Sequence, residues 1–490
     1  MTLNKPLKRL RWLSLICITA VLVLLFRSPA IAQTPRHYTD LEFPSLPEIT
    51  IPNYERYQLD NGIIVYLMED HNLPLINGTA IIHTGSRLEP PEKVGLAELT
   101  GATMRAGGTQ QHPPDELNQL LEQRAAQVET GIGTTSGSAS FSTLTEDLET
   151  VFNLFSEVIR QPAFDPKQLE LVKTQQKGAI ARRNDDPKDI ASRELGKLIY
   201  GATSPYARTE EYNTIDNISR DDLIAFHQQY VRPDGIILGI VGDFDPKVMK
   251  DLIQQKFGDW KTATPNLKIA VPSAEQKFTQ GVFFVNQPQL TQSTVFLGHL
   301  GGELNNPDYP ALSVLNGVLN GLGGRLVNEL RSRQGLAYSV SGVWNPNYDY
   351  PGVFYGGGQT RSETTVAFIK SFMEEIDRIR TTPISEQELE RAKESILNSF
   401  VFKFENPSQT LSRLMTYEYY DYPQDFIFKY QQGVKATTIE DIQRVAQKYL
   451  DPNRMVTLVV GNTEQINPPL SGLGKTVTSV DITIPEPKKS

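Results

Sequence analysis

A capped helix running into a glycine-terminated strand occurs twice in this chain, the second copy about 219 residues after the first. The first copy opens at Ser219-Arg220-Asp221-Asp222, where a hydroxyl residue followed three positions later by an acid marks a helix start. It continues through Phe226 and Tyr230, stops at Pro233 and passes into the apolar run from Ile236 to Gly242. The second reads Thr438-Ile439-Glu440-Asp441, Val445, Tyr449, Pro452 and Met455 to Gly461, and in both the closing glycine lies twelve residues after the tyrosine. Upstream, the helical rows Leu148, Val151, Phe152, Phe155, Ile159 and Val366, Ile369, Phe372, Met373, Ile376 pair in the same order. Each precedes a second long charged helix, from about Asp165 and about Ser385. Any one pair is an ordinary helix before an ordinary strand, but shared order and offset require a duplicated unit.

The duplication predicts two homologous α+β units, at 45–262 and 278–465, joined by a Pro-rich linker at 263–277. The tail, 466–490, carries Pro468-Pro469 and Pro485-Glu486-Pro487 and is expected to be loosely ordered. Between Tyr57 and Met68, Asp60-Asn61-Gly62-Ile63 signals a hairpin, Thr79 to His83 a further strand, and Val94 to Arg105 a helix. Strands and long helices without regular βαβ alternation favour a mostly antiparallel sheet packed with helices in each unit.

Lys5, Lys8, Arg9 and Arg11 precede an apolar run from Trp12 to Phe26, and Ala30-Ile31-Ala32 supplies a small-x-small cleavage pattern. Residues 1–32 therefore read as a secretory signal peptide, and a retained anchor is the second reading because the run falls short of the ~20 residues that span a bilayer. The expectation is a periplasmic or secreted protein with no membrane contact after cleavage. Cys17, the one cysteine, falls within that segment, so the remaining chain has no disulfide and no thiol nucleophile. Removing its five basic residues takes the net charge from −9 to −14, which argues against nucleic acid as a partner.

Two motifs carry the chemistry. Gly321-Leu322-Gly323-Gly324-Arg325-Leu326 precedes Leu330-Arg331-Ser332-Arg333-Gln334-Gly335-Leu336-Ala337-Tyr338-Ser339-Val340, and Gly85-Ser86-Arg87-Leu88-Glu89-Pro90-Pro91 leads through Gly95-Leu96-Ala97 into a helix. With the duplication, these make the chain from about Tyr54 to Gly461 resemble the pitrilysin/insulinase family of zinc peptidases. The resemblance implies a fold of two peptidase-like units forming half of a clam-shell chamber, and a substrate-clamping role for Arg331 and Tyr338. Arg333 is a nearby alternative; Arg325 reads as structural.

The family's zinc motif is H-x-x-E-H, in which two histidines one helical turn apart bind the metal and the glutamate takes a proton from its water. Here the five positions are Glu98-Leu99-Thr100-Gly101-Ala102, so Glu98 and Ala102 stand where histidines belong and Gly101 where the base belongs. Aligning on Asn184-Asp185-Asp186-Pro187 puts Gly178 and Ala179 where the family's third ligand, a glutamate, would be. His37, His71, His83, His112, His227 and His299 are too far apart in sequence to share a helix face or a hairpin, and no nucleophile elbow or phosphate loop is present.

The resemblance therefore implies a partner-type chain that binds no metal itself and contributes no catalytic residue of its own. It would pair with a homologous zinc-bearing subunit to cleave peptides. A peptide-binding or scaffolding protein without chemistry is the competing reading, and a peptidase with a rebuilt metal site is a third.

Overall fold

The computed structural model describes residues 51–261 and 269–486. The signal-like segment, His37 and the first residues of the expected linker lie outside them. The described chain holds two six-stranded mixed sheets with one plan. The first, in spatial order β1-β2-β6-β3-β5-β4, contains β1 (Glu55–Gln58), β2 (Ile64–Glu69), β3 (Leu75–Ile82), β4 (Gln127–Ile132), β5 (Gly137–Leu144) and β6 (Ile236–Gly242). The second, β12-β7-β11-β8-β10-β9, contains β7 (Gly281–Asn286), β8 (Gln292–Leu300), β9 (Ser339–Asn345), β10 (Val353–Arg361), β11 (Val456–Gly461) and β12 (Val477–Ser479).

The duplicated strands are β6 and β11. Each pairs in parallel with the first long strand of its sheet, Ile64 opposite Ile237 and Val456 opposite Gly281, and antiparallel with the next. The Asn-Gly hairpin forms, with Gln58 opposite Ile64 and Gly62 at φ 101°, a conformation that side chains resist. The strand expected at Thr79 begins earlier, at Leu75.

The helices repeat as well. In the first half they are α1 (Leu96–Ala106), α2 (Pro114–Glu122), α3 (Leu148–Arg160), α4 (Pro166–Arg182), α5 (Pro187–Tyr200), α6 (Tyr212–Asp216), α7 (Arg220–Tyr230) and α8 (Pro246–Phe257). In the second they are α9 (Tyr309–Leu319), α10 (Thr365–Thr381), α11 (Glu386–Ser399), α12 (Pro407–Tyr419), α13 (Phe426–Ala436) and α14 (Ile439–Tyr449). Both predicted capping boxes are present: Ser219 and Asp222 cap α7, and Thr438 and Asp441 cap α14.

The central strands are apolar at consecutive positions because both faces of each sheet are covered. On β2 and β6, Val65, Leu67, Leu238 and Ile240 face the helices of their own half, whereas Tyr66, Met68, Ile237 and Val241 face α12 of the other half through Leu411, Leu414, Met415 and Tyr419. The exchange is reciprocal: α5 of the first half lays Ile190, Ala191, Leu195, Leu198 and Ile199 on Phe283, Val285, Val456, Leu458 and Val460. Gly239 admits α12 so closely that a Cβ there would sit 2.1 Å from Met415 Sδ. Polar ties rim the exchange. Arg56 donates to both carboxylate oxygens of Glu418, at 3.1 and 2.6 Å, Tyr66 Oη donates to Glu418 at 2.8 Å, and Arg87 pairs with Asp349 at 2.7 Å.

The segment expected to be a loose tail is not loose over its described length. β12 adds in parallel to β7, Val480 N donates to Phe284 O, and Asn184 Nδ2 donates to Ile482 O at 2.8 Å. The proline pairs that suggested disorder flank this strand, and Val480 and Ile482, half-buried, pack against the α5 seam.

Because each sheet borrows its second cover, the halves are expected to melt together. Leu195→Ala and Leu414→Ala, in opposite seams, should each cost about 2–5 kcal/mol. Both should lower the midpoint of a single calorimetric transition, and two separable transitions would contradict the exchange as the source of cohesion.

Candidate functional site

Helix α1 begins after Gly95, at φ 105°, and runs between strand β4 and helices α4 and α7. Glu89, buried, accepts from Gly95 N at 3.1 Å and Ala97 N at 2.9 Å, satisfying orphan amides at the helix start, where a negative charge is favoured. Burial nevertheless raises the Glu89 pKa, with these two amides pulling the other way. Arg208 lies across the turn and donates to the Ser86 and Glu89 carbonyls, both at 2.7 Å.

One turn into α1, exposed Glu98 occupies the first degenerate position. The two amide protons of Gln176 on α4 go to Glu98 Oε1 at 2.8 Å and Glu210 Oε2 at 2.6 Å. Glu210 is pushed up to about 7, first by burial and then by the Glu98 charge beside it. The pair sits in a pocket of about 220 Å³ lined also by Glu89, Gly95, Thr134 and Arg208. Of α4, Gln176 reaches Glu98, while at the positions aligned with the third ligand Gly178 has open space around it and Ala179 is exposed. Glu210 lies between α5 and α6 and had no local sequence signal.

Gly101 has closed the site from behind. A Cβ there would lie 2.5 Å from Ile132 N and 2.8–2.9 Å from Gly131 backbone atoms, and Gly101 O accepts from Thr130 Oγ1 at 2.6 Å. The helix therefore rests directly on β4 where a glutamate would need space. Ala102 offers no ligand atom, and among the described residues no group of three or more His, Cys, Asp or Glu is placed to hold a metal. Zinc does not fit this donor set. His83 stacks on Tyr419, centroids 4.1 Å apart, and buried His227 shares a 2.7 Å hydrogen bond with Ile159 O; both are packing residues.

Arg331 and Tyr338 lie in the other half and are brought together. Arg331 rides a π-helical segment, Val327–Arg333, anchored by fully buried Leu330. Gly335, at φ 62°, turns the chain, and Leu336 and Ala337 bury before Tyr338. Strand β9 then starts at Ser339. The Arg331 guanidinium carbon stands 5.3 Å from the Tyr338 ring centroid, a cation–π stack in which both side chains stay open to solvent, Tyr338 at 81% exposure. No carboxylate among the described residues pairs with Arg331. Arg333 instead pairs with Glu329 at 2.9 Å while staying exposed, and Arg325, part-buried, is forked onto Glu388 at 2.6 and 3.1 Å, which commits it to structure. Gln334 fixes the turn, donating to Glu329 Oε1 and accepting from Ser371 Oγ on α10. Leu322, 94% exposed in the glycine-rich loop before this segment, was not singled out by sequence.

Among the described residues no helix is long and apolar enough to cross a membrane. The profile of the insulinase family, peptidase family M16, matches residues 69–206, and that of the peptidase M16 inactive domain matches 217–396. The chain is 26% identical over 367 residues to an uncharacterized zinc protease YmxG of Bacillus subtilis, covering 73% of this chain and 86% of that one. It is 24% identical over 421 residues to a non-peptidase homolog YmxG of Helicobacter pylori, covering 81% and 91%. A solved peptidase M16 inactive domain from Pseudomonas fluorescens superimposes with a TM-score of 0.75 at 24% identity, over 84% of this chain and 98% of that one. The periplasmic protease PqqL of Escherichia coli does so at 0.70 and 18% identity, over 86% of this chain but 47% of its own.

Two outcomes test this geometry. Glu210 gives up its proton at higher pH in the folded chain than in the unfolded one, so its burial costs stability increasingly from about pH 4.5 to 7 and fully above that. Glu210→Gln should thus raise stability at pH 8 by about 1 kcal/mol or more and change little at pH 4, read from urea midpoints. The triple variant E98H/G101E/A102H should fail to bind zinc at micromolar metal, because Gly101 has no room for a side chain; stoichiometric zinc by calorimetry would refute the packing argument.

Proposed function

The chain belongs to the insulinase (M16) family of peptidases, and from that premise we propose that it is the non-catalytic subunit of a heterodimeric zinc metallopeptidase. The observation that carries the reading is the asymmetry between its two halves. The metal position is occupied by a hydrogen-bonded carboxyl pair and sealed by Gly101, whereas Arg331 and Tyr338 remain exposed, adjacent and unneutralised. A guanidinium and a phenol presented together offer donors to a peptide carbonyl and to the oxyanion it becomes. They serve catalysis only beside an activated water, which a homologous partner subunit carrying H-x-x-E-H and its zinc would supply.

The length relation to PqqL supports pairing, since a chain of this kind spans 47% of that protease, leaving room there for a second such unit. Export to the periplasm follows from the signal-like first 32 residues. The substrate class is peptide, held in a chamber of which this chain forms half.

Reconstitution with the zinc-bearing homologue tests the proposal. Arg331→Ala should lower peptide cleavage by about 10²-fold while leaving assembly, measured by native mass spectrometry, unchanged. Tyr338→Phe, which removes only the phenolic donor, should lower kcat with little effect on KM. An unchanged cleavage rate in both variants would leave the chain a peptide-binding or scaffolding protein.

A further inference from the structure

A second pocket, of about 470 Å³, opens at the junction of α3, α7 and the end of α8, apart from both half-sites. Four cationic side chains line it, Arg160, Arg220, Arg232 and Lys261, and no carboxylate does, in a chain whose net charge is −9. Two of the four are neutralised from behind: Arg160 pairs with Asp259 at 2.8 Å and Arg232 with Asp234 at 2.6 Å. The other two are not. Arg220 is held in place by carbonyls alone, donating from Nε to Phe164 O and from Nη2 to Ala163 O, both at 2.8 Å, which orients the guanidinium without cancelling its charge. Its Nη1 has no partner among the described residues, and neither has the Lys261 ammonium. Trp260, over which Arg160 stacks at 5.7 Å, completes one wall.

An arginine pre-set by backbone carbonyls loses little freedom when it binds an oxyanion, and its fork suits carboxylate and phosphate alike. The volume lies in the range of small-ligand sites. We propose that this pocket binds a small oxyanion-bearing ligand, with Arg220 and Lys261 as the charge-supplying residues and Arg160, Arg232 and Trp260 as its walls. The site is independent of the peptide-handling reading and stands or falls without it.

Trp260 gives the test an internal probe. The purified protein would be titrated with inorganic phosphate and separately with succinate, at ionic strength held constant with sodium chloride, while tryptophan emission is followed. The expected result is a saturable change with at least one anion, weakened about tenfold in Arg220→Gln and several-fold in Lys261→Gln. A response to phosphate alone assigns a phosphate-bearing ligand, and one to succinate alone a carboxylate-bearing ligand. Lys261→Gln removes no hydrogen bond that holds the fold among the described residues, so it remains decisive if Arg220→Gln is unstable. No saturable response, or one equally strong in Lys261→Gln and in any folded Arg220→Gln, overturns the proposal.

Discussion

Everything in this molecule hangs on the exchange of two helices. A sheet buried on one face leaves the other to solvent, yet β2, β6, β7 and β11 are apolar on both, and the second face of each sheet is covered by a helix of the other half. The solution is reciprocal. Helix α5 leaves the first half to cover the second sheet, α12 does the reverse, and the rims are closed by Arg56 with Glu418 and Arg87 with Asp349. Burial of this kind is the dominant favourable term in folding. Its distribution across two seams is what makes one body of two repeats.

The two candidate regions stand differently to that packing. At the α1 site the helix lies against β4, where Gly101 leaves no room for a side chain, and Gln176 bridges the Glu98 and Glu210 carboxyls. The Arg331 and Tyr338 region lies at the surface, on a π-helical turn anchored by buried Leu330 and by the contacts of Gln334 with Glu329 and Ser371. Arg331 and Tyr338 there stack on each other and stay exposed.

The repeats, the capping boxes and the hairpin were legible in the sequence because each is local or recurs in order: a hydroxyl and an acid three apart, Asn-Gly between apolar runs. The exchange was not. Nothing in the amphipathic pattern of Ile190 to Ile199 says which sheet it covers, although the double-faced apolar strands did require some extra cover. Gln176 and Glu210 escaped for the same reason, since they meet Glu98 only through the folding of α4 and of the loop before α6. The tail was misread because its prolines outweighed Val477 to Val480, a short strand that needs an existing edge to join.

A ribosome delivers this chain in order, and the exchange forbids an orderly result. When the first sheet has been synthesised, Tyr66, Met68, Ile237 and Val241 are an uncovered apolar surface, and their cover, α12, arrives some 165 residues later. During that interval the first repeat lacks the native cover of that face. The helix swap thus constrains the order in which the chain can complete its native burial as much as it constrains the finished protein.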